Sequence, residues 1–326
     1  MRRLGKTSLL VNQIGFGGIP IQRVTEQDVC ALFDEMQKQG IQFVDTARAY
    51  TSSEEMIGKA LVGRRNQFVL ATKSLKRTYE GMKEDIQTSL NNLQTTWIDL
   101  YQIHNIKANE DYSGAWKALE EAKQAGFIHH IGITSHSFSL MNKIIREGKT
   151  ETIMFPYNFL EQDAETLFQQ AHKKGIGTIV MKPLAGGVIE KATCSLKFIL
   201  QNEDVDIVIP GMATIEEVKE NAVCRKGSFT QAEEEYMYHL KRELEGDFCH
   251  RCGYCLPCSV GIDIPAAFLF EGYYRRYDLK EWAKERYQTL AVKVDACIEC
   301  GLCEMRCPYS LKIIEKLKRV KGIFHE

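Results

Sequence analysis

Short runs rich in Val, Ile, Phe and Thr recur along the first 240 residues: QIGFGG (13–18), FVDTA (43–47), FVLATK (68–73), DLYQIHN (99–105), HIGITS (130–135), TIMFPYN (152–158), GTIVMKPL (177–184) and DIVIPG (206–211). They are mostly continuous rather than alternating, as strands buried on both faces of a parallel sheet are. Amphipathic helices lie between them. Val29, Leu32, Phe33 and Met36 share one helical face, and so do Ala164, Leu167, Phe168 and Ala171. Ser52 with Glu55, and Thr214 with Glu217, have the spacing of capping boxes. Eight strands, each followed by a helix, predict an α/β chain folded as a (β/α)8 TIM barrel, a fold of about 250 residues. An open doubly wound sheet is the alternative, but GFGGIP after the first strand does not complete the G-x-G-x-x-G loop of that fold.

After Thr230 the pattern changes. QAEEEYMYHLKREL reads as a polar helix between domains, FLFEGYYRRYDLKEWAKERYQTL as helical, and LKIIEKLKRVK as a basic amphipathic helix that packs on a small domain rather than anchoring in a membrane. The expected division is a barrel over 1–240 and a small, mainly helical domain over 241–326. With 326 residues and 44% hydrophobic content, the chain can bury one large core and one small one. A net charge of −1 argues against nucleic acid or an acidic membrane as partner. No apolar run reaches the roughly 18 residues of a membrane span. The apolar run in MRRLGKTSLLVNQIGFGG is too short and too polar for a secretory signal, so a cytoplasmic location is expected.

The cysteines are unevenly spread. Of 11, Cys30, Cys194 and Cys224 are scattered and read as small buried residues, while the other eight lie between Cys249 and Cys307. They form two runs, Cys249-x2-Cys252-x2-Cys255-x2-Cys258 and Cys297-x2-Cys300-x2-Cys303-x3-Cys307-Pro308. Such spacing points to metal rather than to disulfides. Two structural zinc sites would need only paired C-x2-C steps. Four cysteines per run and the x3-C-Pro ending match the iron–sulfur pattern. The first run departs from it, with x2 before Cys258 and Ser259 where proline is common.

Chemistry in a barrel collects at the C-terminal ends of the strands. Asp45 ends the second strand, with Tyr50 in the loop beyond; Lys73 ends the third and His104 the fourth. Each alone has an ordinary structural reading as a cap, a packing ring, an ion-pair partner or a satisfied histidine. Four at successive strand ends make that coincidence hard to sustain. VDTARAYTSSEEMIGKAL, VLATKS, DLYQIH and VIPGMATIEEVKEN resemble the aldo-keto reductases over roughly residues 1–240, and the remainder resembles the helical two-cluster ferredoxin domain fused to one branch of that family.

The resemblance implies that Asp45, Tyr50, Lys73 and His104 are a catalytic tetrad for carbonyl–alcohol interconversion with NAD(H) or NADP(H) and a small carbonyl or alcohol substrate. A free tyrosine has a pKa near 10. A neighbouring ammonium stabilises its phenolate and makes it a usable general acid, Asp45 holds Lys73, and His104 orients the carbonyl. The fourth cysteine of each ferredoxin run ligates the other cluster. The resemblance therefore implies two [4Fe-4S] clusters, one on Cys249, Cys252, Cys255 and Cys307, the other on Cys297, Cys300, Cys303 and Cys258.

The nucleotide site follows the family less closely. Thr134 and Ser135, Met154 and Met181 stand where family members commonly hold the nicotinamide with Ser-Asn, Gln and a stacking aromatic. Gly211 and Met212 lead into a helix start suited to an anion, and Glu220 and Asn221 match the adenine-side pair. Gly211 replaces a common lysine and Glu217 a common arginine, so either weak nucleotide binding or a preference for NADH over NADPH is expected. Nicotinamide moves two electrons, each cluster one, and nothing in the sequence marks a flavin. A redox partner protein is one way to reconcile them. The alternative is an electron-transfer or redox-sensing protein whose barrel does not use nicotinamide.

Overall fold

An antiparallel hairpin, β1 (Arg2–Arg3) with β2 (Leu10–Val11), opens the chain. All eight expected strands follow in order: β3 (Phe16–Gly17), β4 (Phe43–Asp45), β5 (Val69–Ser74), β6 (Ile98–Ile103), β7 (Ile128–Thr134), β8 (Thr152–Pro156), β9 (Gly177–Met181) and β10 (Ile207–Val208). Each pairs in parallel with its neighbour in sequence. Parallel bridges Ile14↔Val208 and Gly17↔Gly211 join the last strand to the first and close the barrel. The helices are α1 (Glu26–Gln39), α2 (Ser53–Ala60), α3 (Tyr79–Asn92), α4 (Ser113–Gln124), α5 (Phe138–Glu147), α6 (Glu165–Lys173), α7 (Ala192–Leu200) and α8 (Ile215–Ala222). The structure, a computed structural model, describes residues 1–324 apart from Ala108, Gly246 and Cys252. Among the described residues no helix is long and apolar enough to cross a membrane.

Two apolar layers explain the continuous strand runs. Phe43, Ala71, Leu100, Met154, Ile179 and Ile207 form an inner cluster with Leu4, Leu9 and Val11 of the N-terminal hairpin. Val44, Leu70, Tyr101, Ile103, Ile133, Ile153, Val180 and Val208 belong to the outer cluster, shared with the helices. Because side chains alternate along a strand, every residue two positions beyond an inner one also points inward. Asp45, Lys73 and Gln102 follow Phe43, Ala71 and Leu100 in this way.

The capping box of Thr214 with Glu217 is present, but that of Ser52 with Glu55 is not. Ser52 has helical backbone angles and makes no side-chain cap bond. The next residue does the work instead: Ser53 Oγ donates to the Gly18 carbonyl at 3.1 Å and lies 2.8 Å from Thr46 Oγ1. This pins the start of α2 to the first two barrel strands.

Glu151, just before β8, ties the start of that strand to the middle of β7. Burial alone would raise its carboxyl, but His130 (2.6 Å), Lys123 (2.6 Å) and the Ile131 N–H (2.9 Å) outweigh that and hold it at about 2. A carboxyl depressed on folding adds stability that is present above its unfolded value, ordinarily about 4.3, and is lost as pH falls toward the folded value. Denaturant titrations at pH 7, 4 and 3 are therefore expected to lose on the order of 1–2 kcal/mol from this group, solvent screening allowed for. Glu151→Gln should flatten that part of the profile.

The chain divides into two compact units, Met1–Ala185 with Ile189–Ser228, and Gly186–Val188 with Phe229–Glu326. The second holds α9 (Gln231–Glu243), α10 (Ile264–Arg275), α11 (Lys280–Gln288), α12 (Leu302–Met305) and α13 (Ile313–Phe324). The tyrosine-rich stretch expected as helical is two helices, separated at Asp278, whose φ of 52° no helix interior tolerates. Ile313, Leu317 and Val320 of the tail helix pack with Ile264, Ala267 and Phe268 and with Cys255 and Cys303. The tail is thus core, as its apolar stripe requires.

Candidate active site and cluster-binding cysteines

Four polar side chains meet at the C-terminal ends of β4, β5 and β6. Lys73 is 2% exposed, and its Nζ donates to Asp45 Oδ2 at 2.5 Å and to the Thr46 carbonyl at 2.7 Å. Gln102 Nε2 donates to the other Asp45 oxygen at 3.3 Å. Burial lowers the Lys73 ammonium below its usual range and raises the Asp45 carboxyl, and the contact between the two opposes both shifts. Lys73 Nζ stands 4.9 Å from the centroid of the Tyr50 ring. The Tyr50 and His104 rings meet edge-on at 6.0 Å. The structure therefore brings Asp45, Tyr50, Lys73 and His104 together.

The loop carrying Tyr50 is strapped to the barrel. Arg48 N–H donates to the Lys73 carbonyl at 3.0 Å, Tyr50 N–H to the Ala47 carbonyl at 3.0 Å, and Ser53 N–H to the Tyr50 carbonyl at 2.7 Å. Beneath the loop lies a buried carboxylate that sequence reasoning passed over. Glu54 is 1% exposed and accepts from Arg48 Nη1 (2.6 Å), Thr72 Oγ1 (2.7 Å) and Ser89 Oγ (2.8 Å). Arg48 Nε also lies 3.7 Å from Asp85 Oδ1, and Ser74 Oγ donates to that residue's other oxygen. Gln102 was passed over as well. Its signal was available, because a glutamine inside the apolar run DLYQIHN has to be accommodated by a polar partner.

The expected nucleotide residues are less uniformly arranged. Thr134 Oγ1 accepts from Asn105 N–H at 2.7 Å, and Ser135 Oγ donates to the Ile106 carbonyl at 2.7 Å. Both hydroxyls are thus engaged with the loop after β6. Met154 belongs to the inner apolar cluster and Met181 lies half-buried against it. Met212 is buried. At Gly211 a Cβ would lie 2.7 Å from Pro20 Cγ, so any side chain there would force the proline ring to move. Glu217 turns its carboxylate onto the backbone ahead of α8, accepting from Ala213 N–H at 2.6 Å and Thr214 N–H at 3.0 Å. Glu220 is exposed, whereas Asn221 is buried, and its Oδ1 has no hydrogen-bond partner among the described residues.

In the second unit the two cysteine runs interlock. Cys258 of the first run lines one cavity with Cys297, Cys300 and Cys303 of the second. The His250 ring, next to Cys249, stacks on Tyr309, two residues past Cys307, at 3.8 Å. Arg306 Nη1 donates to the Pro257 carbonyl at 2.9 Å. Cys255 and Cys303 are buried, Cys249, Cys258, Cys297 and Cys307 half-buried, and Cys300 exposed. Cys252 lies outside the described residues. No two of the described cysteines are joined in a disulfide. Of the scattered three, Cys194 and Cys224 are buried and Cys30 half-buried; burial pushes the Cys224 thiol up to about 11.

The comparisons with known proteins identify this closed barrel and compact cysteine-rich unit as an oxidoreductase with an iron–sulfur domain. Residues 13–194, more than half of the chain, match the Aldo/keto reductase family, and the chain belongs to it. Residues 248–312 match the 4Fe-4S dicluster domain. The chain is 28% identical over 203 residues to the uncharacterized oxidoreductase YqkF of Bacillus subtilis, covering 58% of this chain and 66% of that protein, just under two thirds. It is 27% identical over 275 residues to L-galactose dehydrogenase of Arabidopsis thaliana, covering 68% of this chain and 86% of that protein. Among solved structures, the holo form of aldo-keto reductase AKR11C1 from Bacillus halodurans matches with a TM-score of 0.66 at 26% identity, covering 73% of this chain and 95% of that one.

Proposed function

We propose that the barrel interconverts a small carbonyl and its alcohol with a nicotinamide cofactor, and that the second unit carries two [4Fe-4S] clusters serving one-electron exchange with a redox partner protein. The observation that carries the catalytic half is Lys73 Nζ, wedged between Asp45 Oδ2 and the Tyr50 ring. Asp45 and the Thr46 carbonyl together favour the protonated amine. The ammonium in turn favours charge on the Tyr50 oxygen, so Tyr50 can give its proton to the carbonyl oxygen as that oxygen becomes an alkoxide. His104 orients the carbonyl from the other side. Nicotinamide, when bound, supplies hydride to the carbonyl carbon, and the product is the alcohol.

The buried Asn221 Oδ1 without a partner is an acceptor suited to the amino group of adenine, and it supports a nucleotide at α8. The Glu217 carboxylate occupies the backbone N–H groups at that helix start and adds negative charge there. This disfavours a 2′-phosphate. Fluorescence titration is expected to give tighter binding of NADH than of NADPH, and tight NADPH binding without NADH binding would refute the preference.

The shared cavity supports Cys258, Cys297, Cys300 and Cys303 as ligands of one cluster, and the spacing of the runs leaves Cys249, Cys252, Cys255 and Cys307 for the other. Each cluster, when bound, exchanges a single electron. Iron and sulfide analysis followed by anaerobic addition of NADH tests the whole reading. Two loaded clusters with carbonyl turnover are expected, and bleaching of the cluster absorbance would add that the two sites are coupled. A second reading is an electron-transfer or redox-sensing protein without nicotinamide. It is favoured by Met154 lying in the inner apolar layer, where no amide hydrogen bond can be made, and it predicts that neither nucleotide binds.

A further inference from the structure

Ser259 occupies the position after the fourth cysteine of the first run, where ferredoxin runs carry a proline without a donor. Its hydroxyl oxygen lies 3.2 Å from Cys300 Sγ, across 41 positions of sequence. Ser259 also lines the cavity that its neighbour Cys258 shares with Cys297, Cys300 and Cys303. A thiolate ligand has no proton to give, so in the loaded protein the hydroxyl is the donor and the sulfur the acceptor. A cluster gains one negative charge on reduction, and that charge spreads onto its ligand sulfurs. A donor aimed at one of those sulfurs stabilises the reduced form more than the oxidised form. Hydrogen bonds to the sulfurs are among the main determinants of cluster potential.

We infer that Ser259 is a positioning residue that, through its hydrogen bond to Cys300, raises the reduction potential of the cluster on Cys258, Cys297, Cys300 and Cys303. This rests on the cluster assignment proposed above. The serine serves one cluster only, so it shifts one of the two potentials instead of both. Cys300 is the exposed member of the set, and an exposed sulfur is otherwise satisfied by exchanging water. A fixed donor replaces that variable one.

The test is a potentiometric titration of the full chain, followed by electron paramagnetic resonance, for the wild type, Ser259→Ala and Ser259→Thr. Ser259→Ala is expected to move one of two waves to lower potential, by up to about tenfold in the one-electron reduction equilibrium, or about 59 mV. The other wave should stay in place, and Ser259→Thr, which keeps the hydroxyl, should hold the wild-type value. If Ser259→Ala fails to take up iron, Ser259→Pro replaces it, since it too lacks the donor. Two unmoved waves in a fully loaded donorless variant, or equal movement of both, would overturn the inference while leaving the cluster assignment standing. A wild-type protein without iron and sulfide would overturn the assignment itself.

Discussion

Replacing Tyr50 with phenylalanine is expected to lower carbonyl turnover with NAD(P)H by about a hundred- to ten-thousandfold, the usual contribution of a positioned general acid. The ring should stay where it is. It is held by the Tyr50 backbone bonds to Ala47 and Ser53 and by the contacts of its ring with Lys73 and His104, all of which phenylalanine keeps. Nucleotide affinity and thermal midpoint should therefore match the wild type, so the loss falls on kcat and not on folding. Steady-state kinetics with a simple aldehyde, beside a melting curve, makes the measurement. Equal rates for the two proteins would remove Tyr50 as the proton donor, whereas no turnover by either would leave the non-nicotinamide reading in front.

Replacing Arg48 with methionine is expected to cost about 3 kcal/mol of stability or more. The Glu54 carboxylate is buried, and its bond from Arg48 Nη1 at 2.6 Å is the charged contact among its partners. Removing one member of a buried pair leaves the other charge desolvated, which is far more costly than never having built the pair. The hydroxyls of Thr72 and Ser89 stay in place but bring no compensating charge. Arg48 is also two residues from Tyr50, in a loop whose N–H bonds reach β5, so catalysis should fall together with stability. Urea denaturation of Arg48→Met and of Arg48→Met/Glu54→Gln separates the two effects. The double variant should recover much of the stability, since it no longer buries a bare carboxylate. If the single variant is as stable as the wild type, the pair is not the strap described here.

Much of the barrel was legible in the chain because its strands are buried on both faces. Continuous runs of Val, Ile and Phe report that environment directly, and all eight strands appear where those runs lie. The ends of elements were less legible. Ser52 and Glu55 have the spacing of a capping box, yet the backbone at Ser52 is already helical and Ser53 makes the bonds instead. A spacing rule states which side chains could reach, whereas the backbone angles decide which do. Likewise the tyrosine-rich segment carries helical residues throughout, and its break at Asp278 depends on a left-handed backbone angle that periodicity does not encode.

The sequence alone determined the identity and order of the groups proposed to carry the chemistry: Asp45, Tyr50, Lys73 and His104 at successive strand ends, and two cysteine runs of ferredoxin spacing. Residue type and local spacing are enough for that, because an ammonium, a phenol or a thiol carries its reactivity wherever it is placed. Only the tertiary structure decided which groups stand together. It set Lys73 between Asp45 and Tyr50, turned Gln102 inward and buried Glu54 under the loop. In the second unit it placed Cys258 and Ser259 beside Cys297, Cys300 and Cys303. These contacts join residues far apart in the chain. They are fixed by barrel closure and by helix packing, whose energies are summed over the whole core and not written at any one position.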